Sequence, residues 1–155
     1  MTLDDMARAA FDLLAHAPGA RSDPEGTAQA VEAALAAAPH ELDVRLGAYR
    51  FYFYTHQYAL AIPQAEAILA LAAQRLNIAA DWREVRPGDA AFPEAEIAPG
   101  LYLQALIALA YCQMRLGRFD LGEPCLAKVR QLDPADRFGA ARLVAAARRP
   151  DPDED

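Results

Sequence analysis

Arg118–Pro124 reads RFDLGEP, and Gln57–Pro63, 61 positions earlier, reads QYALAIP. The two stretches pair Phe119 with the aromatic Tyr58, Leu121 with Leu60, the small Gly122 with the small Ala61, and Pro124 with Pro63. A second match runs at a shorter offset. Val31–Pro39 (VEAALAAAP) lies 34 residues ahead of Ala65–Ala73 (AEAILALAA) and shares Glu32 with Glu66, Leu35 with Leu69, and three alanines. Self-similarity at a fixed period marks an array of stacked units. The 61-residue offset is one 34-residue period lengthened by 27, and the extra length covers residues 77–99, where helical periodicity vanishes.

Around these matches the apolar spacing is helical. Leu3, Met6, Ala7, Ala10, Phe11, Leu13 and Leu14 predict a first helix over about 3–16, ended by Ala17-Pro18-Gly19. Ser22-Asp23-Pro24 offers capping residues and a first-turn proline, so a second helix is expected over 26–38, stopped by Pro39. Further helices are expected over 40–55, 57–76, 100–116, 119–132 and 135–148. Pro63 predicts a delayed or irregular start to the helix over 57–76, because its ring nitrogen cannot donate a hydrogen bond. Residues 77–99 hold three prolines and a Pro-Gly turn, and read as an insertion with one short helical turn near Asp81–Val85. Residues 151–155 are acidic, contain proline and read as a disordered tail.

Leu116–Pro134, LGRFDLGEPCLAKVRQLDP, resembles the second half of a tetratricopeptide repeat, with Gly117 and Phe119 at the turn, Gly122 at the helix contact and Leu132-Asp133-Pro134 at the close. Pro39 closes the first unit similarly, whereas Tyr49 stands where the family prefers a small residue. The resemblance covers about residues 3–148 and implies a single all-α domain, a right-handed α-solenoid of three antiparallel helix pairs (about 3–38, 40–76 and 100–132) plus a C-terminal capping helix over 135–148. One Ala-rich pair cannot bury its apolar face alone, and stacking three makes a continuous core.

Composition agrees with that class: 54% of the 155 residues are hydrophobic and 24% charged, with alanine, the best helix former, in excess. The net charge of −7 repels phosphate backbones and anionic headgroups, so neither nucleic acid nor a membrane surface is an expected partner. The start, MTLDDMARAAF, carries two acids where a secretory leader carries basic residues, so a cytoplasmic location is expected. Cys112 and Cys125 fall inside helical patterns and read as buried free thiols. There is no Gly-rich phosphate loop, His-Glu-x-x-His or Gly-x-Ser-x-Gly motif, and His16, His40 and His56 fall near helix ends. The expectation is therefore a non-enzyme without cofactor or metal.

What remains is recognition of a peptide or protein, the usual work of the family. The resemblance places Asp43, Arg50, Phe53 and Tyr54 of the third helix and Gln104, Ile107, Tyr111, Met114 and Arg115 of the fifth on the concave groove. Tyr111 and Met114 equally fit a core position. Trp82, in the insertion, either anchors that loop or contacts a partner. At the places where some family members clamp chaperone C-termini, this chain has Asp12, His16, Arg50, Gln104 and Ala108; only Arg50 could serve, so such tails are not expected ligands. Scaffold or adaptor is the leading reading, with a dedicated chaperone of a secretion system, class II type III-like, as the alternative. A homodimer would cover apolar surface left at the solenoid ends. Within Tyr49–Tyr58, YRFYFYTHQY, six aromatics cannot share one helical face, so Tyr49, Tyr52 and Tyr58 are assigned to the core, Phe53 and Tyr54 to the groove, and Phe51 to neither.

Overall fold

The computed structural model describes residues 24–93 and 97–148, and these contain six α-helices and no strand. The expected first helix and the acidic tail lie outside the described residues. The helices are α1 (Pro24–Ala37), α2 (Leu42–Tyr54), α3 (Tyr58–Leu76), α4 (Ile97–Arg115), α5 (Phe119–Leu132) and α6 (Ala140–Arg148), with 3₁₀ turns at Trp82–Glu84 and Pro87–Asp89.

The two repeated stretches fold alike down to individual hydrogen bonds. α2 ends with His56 at φ +59° and α4 with Gly117 at φ +77°, each in the left-handed region. The amide N–H of His56 donates to Phe53 O at 3.1 Å and that of Gln57 to Tyr52 O at 2.8 Å. Sixty-one residues on, Gly117 N–H donates to Met114 O at 2.9 Å and Arg118 N–H to Gln113 O at 2.9 Å. Both are Schellman closures, in which a left-handed residue lets the last carbonyls of a helix find donors. The next residues also agree, with Gln57 at φ −97°, ψ 66° and Arg118 at φ −91°, ψ 64°. This fixes the register between α2–α3 and α4–α5 and sets Tyr49 opposite Ala110.

Proline does not delay the helix starts. α3 begins at Tyr58 and runs through Pro63; α5 begins at Phe119 and runs through Pro124. Both rings occupy the sixth helical position and are exposed, so the carbonyl that loses its partner one turn earlier can be served by water.

α4 is the central element, packed on α3, α5 and α6, while α2 packs on α1 and α3. From Ile97 to Met114 its sequence carries no charge, and Leu101, Tyr102, Leu103, Ala105, Leu106, Ala110 and Cys112 are all fully buried. A helix apolar all round belongs inside a protein or a membrane; no described helix is long and apolar enough to cross a membrane. Small residues set the helix spacing: a Cβ on Gly122 would lie 2.8 Å from Met114 Cγ and 3.0 Å from Ala110 O, so α5 touches α4 there only because Gly122 lacks a side chain. Arg45 joins three segments by donating to Pro39 O at 2.7 Å and Gln64 Oε1 at 2.8 Å.

The insertion packs on the body. Val85 and Phe92 are fully buried, with Ile78, Trp82 and Ala90 half-buried against the same core. Lys128 Nζ of α5 donates to Val85 O at 2.7 Å, and Arg137 donates to Phe92 O. The last helix is shorter than expected: residues 135–139 form a turn with Asp136 at φ +51° and Gly139 at φ +71°, and α6 starts at Ala140. The Asp136 carboxylate accepts from Ala140 N–H at 2.7 Å and Ala141 N–H at 3.4 Å, satisfying first-turn donors.

Candidate functional site

In YRFYFYTHQY, Tyr49, Phe51, Tyr52 and Tyr58 are buried, Phe53 is half-buried and Tyr54 is 39% exposed. α2 packs on α1 and α3, and its Phe53 ring also meets Tyr111 of α4. Phe53 is the centre of the cluster. Its ring centroid lies 5.2 Å from Tyr54, 5.6 Å from Tyr49, 5.6 Å from Tyr111 and 6.1 Å from Tyr58. Aromatic pairs at these separations gain from edge and offset contacts beyond burial alone. His56 Nδ1 is 3.0 Å from the Tyr58 hydroxyl, and the Arg115 guanidinium sits 5.2 Å from the centre of the Tyr58 ring.

Beside this cluster is a cavity of about 410 Å³, counting its solvent-open mouth. Tyr49 and Phe53 reach it from α2 at i, i+4 spacing, and Gln104, Ile107, Ala108 and Tyr111 from one stripe of α4. Phe138 and Leu143 close the far wall, from the α5–α6 connection and α6. Among the described residues that line it none is charged, and Gln104 carries the one side-chain amide.

Four of the residues assigned to the groove from sequence therefore meet in one place: Phe53, Gln104, Ile107 and Tyr111. Ile107 does so as a wall, with only 4% of its surface exposed. Arg115 and Tyr54 stand at the turn end of the same helices, next to Tyr58 and Phe53. Arg50 is half-buried on α2 and does not line the cavity. Met114 is not a groove residue: it is 2% exposed and fills the space over Gly122, which makes it core. Trp82 lies elsewhere, half-buried in the insertion with the Arg83 guanidinium 4.5 Å from its ring centre. Phe138 and Leu143 are lining residues that the repeat pattern does not point to, because they fall in the segment that the pattern marks as a cap. An isolated aromatic in the polar run ADRFGAAR was the available signal.

Burial governs the titratable groups here. Desolvation pushes the Tyr58 phenol up to about 12, with Tyr111 adding and Arg115 opposing. It holds Tyr49 well above the usual phenol range. The Cys112 thiol rises to about 12 and Cys125 to about 11, again by burial first, so both are protonated at neutral pH and poor nucleophiles. Among the described residues no group of three or more His, Cys, Asp or Glu could hold a metal ion. The arrangement suits shape recognition of an apolar group.

The "Uncharacterized 19.8 kDa protein in nifW 5'region" of Azotobacter chroococcum mcd 1 is 41% identical to this chain over 130 residues, spanning 82% of this chain and 73% of that protein. The two belong to one family. A match of that span includes residues 49–111 wherever it begins, and so takes in the α2 and α4 walls of the cavity in this family member. No family model matches the chain. No solved structure matches it either.

Proposed function

We propose that this protein is a non-catalytic interaction module of tetratricopeptide-like build, a scaffold or adaptor that binds a peptide or protein segment along the face shared by α2 and α4. The observation that carries the reading is the cavity itself. Two helices 61 residues apart in the repeat, α2 and α4, supply Phe53, Gln104, Ile107 and Tyr111 to one recess whose described lining residues are all uncharged. Rings set around a recess with one amide are typical anchors of recognition surfaces, where a few buried aromatics carry most of the binding energy. The twin Schellman turns and the shared helical register support a stacked arrangement of helix pairs, whose right-handed superhelical course is what the tetratricopeptide resemblance implies.

The relative's printed name places it in the 5' region of nifW. Proteins encoded around the corresponding gene are therefore the first partners to test. The experiment compares capture of those proteins, purified, by wild type and by Phe53→Ala/Tyr111→Ala. One partner bound by wild type and lost in the double variant, with helical circular dichroism intact, is the expected result. A partner set identical for both proteins removes the α2–α4 face as the binding site.

A further inference from the structure

The turn between α5 and α6 does two things with neighbouring residues. Phe138 walls the cavity and packs over Gly100 of α4, where a Cβ would lie 3.3 Å from its ring. Arg137, one residue earlier, donates to Phe92 O of the insertion and, through Nε, to the Asp133 carboxylate at 3.3 Å. The Arg137 guanidinium also stands 5.6 Å from the centre of the Phe138 ring.

The turn has little else to hold its shape. Asp133 and Ala140 are buried at its two ends, while Pro134, Ala135 and Asp136 between them are exposed. Asp136 and Gly139, on either side of the Arg137-Phe138 pair, are left-handed at φ +51° and +71°, a conformation that a side chain disfavours. Arg137 clamps the buried end twice, since its amide N–H donates to Asp133 Oδ2 at 3.0 Å while its side chain meets Oδ1. A planar guanidinium presents donors in fixed directions and so meets Asp133 and Phe92 O together, whereas the ammonium of lysine is a compact point charge without that fork. Phe92 is itself anchored, fully buried with its ring 5.8 Å from that of Tyr102 on α4. Contacts therefore run without a break from the insertion through Phe92 O, Arg137 and the turn to the wall of the cavity.

We infer that Arg137 is a positioning residue for the cavity: by tying the turn to the insertion it sets where Phe138 stands, so docking of the insertion and the shape of the cavity are coupled. An occupant that displaces Phe138 is opposed by the insertion, and by reciprocity a contact that loosens the insertion frees the far wall. This rests on the interaction-module reading for what the cavity is used for, and names the element that regulates it.

The test reads Phe138 directly in the full chain, through nuclear Overhauser cross-peaks between its ring and the Gly100 α-protons. Arg137→Lys keeps a positive charge beside Asp133 but lacks the fork, and is expected to lose the cross-peak while helical circular dichroism is kept. A role in stability alone would lower the urea midpoint of this variant and leave the cross-peak in place. The second measurement, whose first arm needs no Arg137 variant, is a double-mutant cycle between Phe92→Leu and Phe138→Leu, which keep apolar side chains at both sites. The pair is expected to be non-additive by about threefold or more in the unfolding constant with Arg137 present, and additive to within about twofold in Arg137→Lys. A cross-peak that survives Arg137→Lys, a cycle additive with Arg137 present, or a coupling unchanged by Arg137→Lys overturns the inference. Neither measurement uses a partner, so the two readings fail separately: coupling without partner capture keeps the positioning role and removes the interaction reading, and capture without coupling does the reverse.

Discussion

His56 and Gly117 do the same job with different residues. Each closes a helix by turning left-handed, and glycine does so without a Cβ penalty whereas histidine bears one. His56 compensates in part by its ring contact with Tyr58 and the 3.0 Å approach of Nδ1 to the phenol oxygen. Gly117 has no such option. Gly117→Ala is expected to destabilise by about 1–2 kcal/mol, read as a lower urea midpoint with an unchanged slope. Tyr102 presents the opposite case, a fully buried phenol with no hydrogen-bond partner, packed 5.8 Å from the Phe92 ring. Tyr102→Phe should leave stability at neutral pH unchanged or raise it by about 1 kcal/mol, because an unsatisfied group is removed and the ring kept. A loss larger than that would mean the hydroxyl has a partner after all.

At the level of elements, helix identities follow from local pattern, and five of the six described helices lie within a few residues of their sequence-derived bounds. Two departures have tertiary causes. The proline rule applied to Pro63 assumes that the orphaned carbonyl has nowhere to turn, but an exposed ring leaves it to water. The cap helix begins at Ala140 because Asp136 and Gly139 bend the chain before it. The insertion is decided by long-range contacts. Arg137 donates to Phe92 O and, through Nε, pairs at 3.3 Å with Asp133, which is buried. Arg137→Ala would leave that buried carboxylate only the amide N–H of residue 137, which donates to Oδ2 at 3.0 Å, and release the loop, at a cost of about 2 kcal/mol given that Arg137 is partly exposed. Trp82 is the sole tryptophan, so its emission reports on the insertion directly. Emission blue of the free indole value is expected in wild type, with a red shift in Arg137→Ala; a water-like spectrum in wild type would show that the loop is not held.

For the molecule as a whole, one core shared by α2 through α5 holds several acids of high pKa. Tyr58 and Tyr102 rise from 10.0 to about 12, Cys112 from 9.0 to about 12 and Cys125 from 9.0 to about 11, in each case chiefly by desolvation. Each raised pKa means that the folded state keeps a proton the unfolded state releases. The linked stability is therefore intact below the unfolded values and is lost as pH climbs through the folded ones. Unfolding free energy should stay level to about pH 9 and fall between about pH 9 and 12, steeply because the groups act in concert. Urea midpoints against pH check this, and a flat profile through pH 12 would contradict the burial of these groups.

What the sequence determined by itself is local and periodic: helices from apolar spacing, turns from Gly117 and its counterpart His56, and a repeat whose 61-residue register reappears in paired hydrogen bonds. Half of the candidate site was legible on the same grounds, since Phe53, Gln104, Ile107 and Tyr111 occupy fixed places in two equivalent helices. The tertiary structure alone decided that Met114 belongs to the core, that Val85 and Phe92 fasten the insertion, and that Phe138 and Leu143 wall the cavity. The reason is that periodicity states which face of a helix is apolar, but not which neighbour covers it. Phe138 packs over Gly100 of α4, where a Cβ would lie 3.3 Å from its ring, an approach between residues 38 positions apart that no local pattern encodes.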